Sequence, residues 1–291
     1  MNIIVGKTSG FCDGVRFTVL KAESLLEEYR KVYSLGEIVH NEHVIDDLEK
    51  NGMIVVDNIN KIPDCSKMII RAHGEVKEVY DKAKEKKLEV FDLTCGKVRA
   101  IRLKVEKKKD DYYIVIIGKK NHPESKGVQS FAGNYSFVLE NEDEINNLIE
   151  DYKKSKKDKI YVVSQTTFNE EKFNCLVDLI KKEISDEIVV DKTICNATSN
   201  RQNETRELSK KMDCMIIVGG KNSSNTKELE EVSRENCKNT YLIQDYHDLE
   251  KMNFNYKNIG IMAGASTPVV VVDELINYLK NNKKYWQYKD F

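Results

Sequence analysis

Residues 112–124 read YYIVIIGKKNHPE, and this stretch sets the pattern for the chain. Four β-branched apolar residues, Ile114–Ile117, run without a polar break and then give way at Gly118 to a polar turn. A strand with one wet face would alternate. An unbroken run suits a strand buried on both faces, as in a parallel sheet covered by helices. Working outward, similar runs recur at Ile3–Val5, Met53–Val56, Met68–Ile70, Ile160–Val163, Met215–Val218 and Ile259–Met262. Between them lie helical stretches: Val15, Val19, Ala22 and Leu26 share one helical face, as do Val98, Ile101 and Val105. Strand and helix alternate, which predicts an α/β fold.

A weak internal repeat organises these pieces. Cys12 precedes a helical stretch over 14–29, Cys95 one over 97–109, and Cys195 one over 200–212. After each cysteine come two junctions where an apolar run meets a polar turn. These are EIVHN (37–41) and IIRAHGE (69–75), then VIIGKKNHPE (115–124) and YVVSQTT (161–167), then IIVGGKNSSN (216–225) and IMAGAST (261–267). The expected organisation is three similar small α/β domains in a pseudo-threefold arrangement, each bringing one cysteine and two turns to a common centre. The first spans residues 13–95 and the second 96–194. The third joins 1–12 to 195–281, and residues 282–291 form a basic, aromatic tail. In open α/β sheets ligands bind beyond the carboxyl ends of the strands, where all six turns fall.

Composition narrows the function classes. The net charge of −1 offers no field for nucleic acid or a membrane surface. No apolar run reaches the length of a membrane span, and residues 1–14 lack a signal peptide's apolar centre. A cytoplasmic protein is expected, so its seven cysteines are read as thiols, ligands or catalytic groups and not as disulfides.

None of the cysteines forms a CxxC pair, which excludes a zinc ribbon or a plant-type ferredoxin pattern. Three thiolates from distant loops would leave one iron of a four-iron cluster without a protein ligand, open to act as a Lewis acid. Spacing alone leaves open whether Cys12, Cys95 and Cys195 are such ligands or small buried apolar residues. Cys65, Cys175, Cys214 and Cys237 fit the packing role better. His40, His73 and His122 all stand at strand-end turns, where imidazoles suit an anionic ligand or proton traffic. His43 reads as support for His40 or as exposed, and His247 has no role. GGKNSSN (219–225) and AGAST (263–267) offer glycine backbone and Ser, Asn and Thr donors, which with the histidines suggest a phosphate or diphosphate pocket. Glu124, beside Pro123, is rigidly placed and could deliver protons, with Thr166 or Thr167 as relay. Helix caps and a surface carboxylate explain the same residues, and spacing does not choose.

The segments GFCDGV, EIVHNEHV, RAHG, FDLTC, NHPES, VSQTT, ICNATSNRQ, GGKNSSNT and AGAST closely resemble the LytB/IspH family of 4-hydroxy-3-methylbut-2-enyl diphosphate reductases, in family order. The resemblance implies an iron–sulfur oxidoreductase acting last in the methylerythritol phosphate route to isoprenoids. It would remove the allylic hydroxyl reductively, giving isopentenyl and dimethylallyl diphosphate. It also implies a [4Fe-4S] cluster held by Cys12, Cys95 and Cys195, with the substrate's hydroxyl oxygen on the open iron. His40, His73, His122, Ser223, Ser224, Asn225 and Ser266 would hold the diphosphate. Glu124 would deliver protons and Thr166 would orient the hydroxyl, with Gln165, Thr167 and Asn196 bordering the pocket. The partners implied are the allylic diphosphate and an external electron donor such as ferredoxin or flavodoxin.

Two features depart from the family pattern. Gly96 stands where a proline is expected in many relatives, making a more flexible turn, and the run VVVVDE after Pro268 reads as a core helix. Two other readings accommodate the cysteines: a quinolinate-synthase-like three-domain [4Fe-4S] enzyme with a carboxylate pocket, and a non-enzymatic iron–sulfur redox sensor.

Overall fold

The computed structural model describes residues 1–184, 187–250 and 256–281, so the tail expected over 282–291 lies outside the described residues. Twelve strands among these residues form three four-stranded parallel sheets with helices between them. Contacts divide the chain into two compact units. One holds Met1–Arg16, Val39–Val44 and the residues from Asn196 on; the other holds Phe17–Ile38 and Ile45–Cys195.

The second unit carries two sheets. The first is built from β2 (Val32–Leu35), β3 (Met53–Val56), β4 (Lys67–Ile70) and β5 (Glu89–Asp92), in the order β3-β2-β4-β5. The next uses β6 (Tyr113–Ile117), β7 (Ser136–Leu139), β8 (Lys159–Ser164) and β9 (Glu187–Val190), in the order β7-β6-β8-β9. All five residues of β6 are buried, as its unbroken apolar run requires. Each such side chain contributes roughly 1.5–3 kcal/mol on burial. Helix α4 (Gly96–Lys108) lays Ile101 and Val105 on this sheet, in one cluster with Ile114 and Ile116.

The other unit carries one sheet of β1 (Asn2–Val5), β10 (Cys214–Val218), β11 (Thr240–Ile243) and β12 (Asn258–Ala263). Its order, β11-β10-β12-β1, is that of the other two sheets, with the edge strand supplied by the N-terminus. In every sheet the chain runs from one middle strand to one edge, then crosses to the other middle strand. The two middle strands therefore flank a topological switch point, and the six polar turns follow the middle strands.

All seven apolar runs form strands. The motif EIVHN does not: the strand it was expected to end is Val32–Leu35, and the chain leaves it through Gly36 at φ +71 before reaching the motif. The helices after the cysteines begin earlier than expected, as α1 (Asp13–Tyr29), α4 and α8 (Asn196–Ser209). Gly96 is consequently the first residue of α4 and not part of a loose turn. In α10 (Val269–Asn281) Val271 and Val272 are buried, but Val269 and Val270 are 57% and 58% exposed, so VVVVDE is only half core. Among the described residues no helix is long and apolar enough to cross a membrane.

Candidate active site

Each of the three sequence-selected cysteines follows the edge strand beside the second middle strand, and each is tied down in the same way. The Cys95 amide donates to Ala72 O at 2.9 Å, that of Cys195 to Thr166 O at 3.0 Å, and that of Cys12 to Ala265 O at 3.2 Å. These carbonyls belong to the turns after β4, β8 and β12. Each cysteine also stands immediately before a helix, and the Cys12 and Cys95 carbonyls accept the first helical bonds, from Arg16 N and Arg99 N at 2.9 Å. Val15 N approaches Cys12 Sγ at 3.5 Å. Helix N-termini favour negative charge, and all three residues are half-buried.

The remaining four cysteines split. Cys214 and Cys237 are buried, and burial pushes both thiols up. Cys65 and Cys175 are exposed, so the packing role expected for them is wrong. Cys65 adopts φ +59 at its turn, and Cys175 lies on the outer face of α7 (Glu170–Glu183).

In the second unit the turns after β6 and β8 form one construction. His122 caps α5 (Pro123–Phe131), its Nδ1 accepting from Glu124 N at 3.2 Å. Glu124 is thereby fixed in the first helical turn and is 1% exposed. Thr166 grips its carboxylate twice: the amide donates to Oε1 at 2.6 Å and the hydroxyl to Oε2 at 2.7 Å. Burial pushes the Glu124 carboxyl up to about 7, against the pull of these two bonds. Gln165 ties the same turns together. Its Oε1 accepts from Lys119 N at 2.9 Å, and its Nε2 donates to Thr167 Oγ1 at 2.7 Å. Gly118 leaves room for it, since an added Cβ would come within 2.9 Å of Gln165 Cβ.

His73, in the turn after β4, meets His122 edge to face with ring centroids 5.4 Å apart. Its turn is bracketed by a mostly buried ion pair, Arg71 Nε to Glu75 Oε1 at 2.7 Å. Burial raises the Glu75 carboxyl in spite of that guanidinium.

In the other unit, Ser223 caps α9 (Ser224–Arg234) by accepting from Thr226 N at 3.3 Å. Ser224 and Asn225 open that helix and are buried. Neither amide atom of Asn225 has a hydrogen-bond partner among the described residues, a costly state for a side chain 4% exposed. Ser266 donates to His40 O at 3.1 Å, and an added Cβ at Gly220 would overlap that same carbonyl. The segment carrying His40 therefore lies directly on the glycine turn. His43 pairs with Asp245 at 3.1 Å on the surface, and His247 pairs with the exposed Glu250.

A sequence model described as "LytB protein" matches residues 3–280. The chain belongs to the LytB family. One similar LytB relative is the 4-hydroxy-3-methylbut-2-enyl diphosphate reductase of Thermoanaerobacter sp. (strain X514), 37% identical over 286 residues, covering 96% of this chain and 97% of the relative. Its counterpart in Clostridioides difficile (strain 630) is 37% identical over 284 residues, covering 97% of this chain and all of the relative. Among solved structures, the Plasmodium falciparum E-1-hydroxy-2-methyl-but-2-enyl-4-diphosphate reductase is similar with a TM-score of 0.88 and 31% identity. The match covers 98% of this chain and 90% of that one.

Several buried polar residues in and beside these turns went unassigned in the sequence. Asn41, 3% exposed, accepts from Val44 N beside His40. Thr226 and Thr267 are fully buried against Gly219. Arg201 is 4% exposed inside the motif ICNATSNRQ, and a buried arginine in a polar motif was the available signal.

Proposed function

We infer that this chain is a 4-hydroxy-3-methylbut-2-enyl diphosphate reductase. It cleaves the allylic C–O bond of its substrate with two electrons and two protons, releasing water and forming isopentenyl and dimethylallyl diphosphate. LytB membership over residues 3–280 supports the activity. The observation that carries the chemistry is Glu124, a buried carboxyl held near neutral pKa by burial and gripped at both oxygens by Thr166. An acid tuned in this way can hold a proton at neutral pH and surrender it. The quinolinate-synthase-like and sensor readings leave this acid without a task.

The family is iron–sulfur dependent, and the donor set here fits such a group. Three half-buried thiols stand at helix starts with their backbones fixed, while the two buried thiols are held protonated. We assign Cys12, Cys95 and Cys195 as ligands of a [4Fe-4S] cluster. When bound, that cluster supplies the electrons and an iron lacking a protein ligand as Lewis acid.

The chain's own residues do the rest. Glu124 protonates the departing oxygen through Thr166 Oγ1, which can pass its hydrogen outward as Oε2–H replaces it. His122 has Nδ1 committed to the Glu124 amide, so in the neutral ring Nε2 carries the hydrogen and can donate to phosphate. His40, His73, Ser223, Ser224, Asn225 and Ser266 complete the diphosphate clamp, and Asn225 gains from it the partners it lacks. Gln165, Thr167 and Asn196 border the clamp. The reading calls for an external electron donor such as ferredoxin or flavodoxin. The domain division at residues 13–95, 96–194 and 1–12 with 195–281 goes with this reading, since each segment holds one sheet.

Anaerobically prepared protein with reduced viologen should consume the hydroxylated diphosphate and yield both products. Protein with intact cluster but no turnover would refute the assignment.

A further inference from the structure

The cysteines differ in the length of chain that carries them from their strand. Cys95 follows β5 after two residues and Cys195 follows β9 after four, but six residues, Gly6–Phe11, separate β1 from Cys12. A longer loop places its end less precisely unless something holds it. One side of this loop is held by β12: Gly6 N donates to Ile261 O at 2.9 Å, and Ala263 N to Ser9 Oγ at 3.1 Å.

The other hold comes from α8, an unusual helix. Its buried residues are all polar: Thr198, Arg201, Gln202, Thr205 and Ser209. An ordinary helix buries an apolar stripe, because a buried polar face gains nothing unless it is bonded. One member of that face, Arg201, and the half-buried Glu204 beside it bond the Cys12 loop. Glu204 accepts from Lys7 N at 2.6 Å and Thr8 N at 2.8 Å, and its Oε2 also accepts from the Thr8 hydroxyl at 2.5 Å. Arg201 donates to Gly10 O at 2.6 Å and steadies itself on Ala197 O at 3.0 Å. Gly10 sits at φ +95, a conformation that directs the chain toward Cys12.

We propose that Glu204 and Arg201 are positioning residues for Cys12, clamping the 7–10 loop so that its sulfur is presented in a fixed place to the cluster. The proposal rests on the reading of Cys12 as a ligand. Groups that orient metal ligands without touching the metal typically govern retention, and their loss costs roughly ten- to hundredfold in metal affinity.

The test uses the full chain, reconstituted anaerobically with iron and sulfide. Glu204→Ala, Thr8→Val and, as a control on the same helix, Glu207→Gln are compared with the unaltered protein. The readouts are the rate at which a chelator bleaches the cluster, the electron paramagnetic resonance spectrum after reduction, and the thermal midpoint of the apoprotein. Glu204→Ala should bleach roughly ten- to hundredfold faster with a changed spectrum, and Thr8→Val should bleach faster by a smaller factor. Glu207→Gln should match the unaltered protein, and the apoprotein midpoints should agree. Unchanged bleaching and spectrum in Glu204→Ala would overturn the proposal, as would acceleration that merely follows a lowered apoprotein midpoint. If Glu204→Ala does not fold, Thr8→Val decides by the same criteria. Failure of the unaltered protein to take up iron and sulfide would instead refute the cluster assignment.

Discussion

Thr166 is bonded to both oxygens of the Glu124 carboxyl, through its amide at 2.6 Å and its hydroxyl at 2.7 Å, while its own carbonyl holds the Cys195 amide at 3.0 Å. One residue thus fixes both the buried carboxyl and the loop that carries Cys195.

Glu124 makes stability depend on pH. Its carboxyl lies at about 7 in the folded chain, against an ordinary value of 4.5. The neutral form is the one the fold favours, so this contribution is complete below about pH 4.5 and is lost as pH rises through 7. The cost of ionising it in place is about 3 kcal/mol. A Glu124→Gln variant should match the parent near pH 5 and unfold at a higher temperature near pH 8. Its turnover should fall by about 10²–10⁴. Calorimetry at the two pH values, with single-turnover assays, checks both.

Thr166→Val keeps the amide bond and removes the hydroxyl bond. The Glu124 carboxyl should then rise further, because a bond to its charged form is gone. Carbonyl-stretch infrared titration should show the upward shift, with turnover lost, and Thr166→Ser should restore both.

Asn225→Leu should separate stability from binding. The amide has no partner to lose among the described residues, so the thermal midpoint should hold or rise. KM for the diphosphate, or the Kd of inorganic diphosphate by calorimetry, should rise at least about tenfold, the worth of roughly one hydrogen bond to a charged group.

Two glycines should respond oppositely to alanine. At Gly96 nothing lies within 4 Å of an added Cβ, so Gly96→Ala should stabilise the chain by about 0.5–1 kcal/mol, since alanine restricts the unfolded backbone. At Gly220 the Cβ would strike the His40 carbonyl, so Gly220→Ala should destabilise and weaken diphosphate binding together. Denaturant titration of both variants, with a binding assay, distinguishes them.

The sequence exposed those parts of the fold that are uniform in character. The fully buried strands β6 and β10, and the stretch Ile160–Val163 of β8, are unbroken apolar runs and were legible. Strands such as β5, Glu89–Asp92, and β9, Glu187–Val190, were not, because their residues are only half-buried and carry a charge. Strand β2 escaped because a buried Ser34 interrupts it, with its hydroxyl paired to Gly36 O at 2.7 Å. At the site, motif residues were visible as types, but the double grip of Thr166 on Glu124 joins positions 42 residues apart and appears only in three dimensions. Cys65 and Cys175 look apolar by type, yet exposure depends on which face of a turn or helix they occupy.

Among the described residues strand β1 pairs with β12 alone, Asn2 opposite Asn258, a pairing that spans nearly the whole sequence. During synthesis the other two sheets can assemble from neighbouring segments, but β1 must wait for β12. Cys12 acquires its carbonyl anchor at Ala265 only when β12 and the turn after it have emerged. With Cys12 assigned as a ligand, loading of iron and sulfide is a late event in the life of each new chain, and a nascent polypeptide stalled before β12 would display Cys12 unanchored.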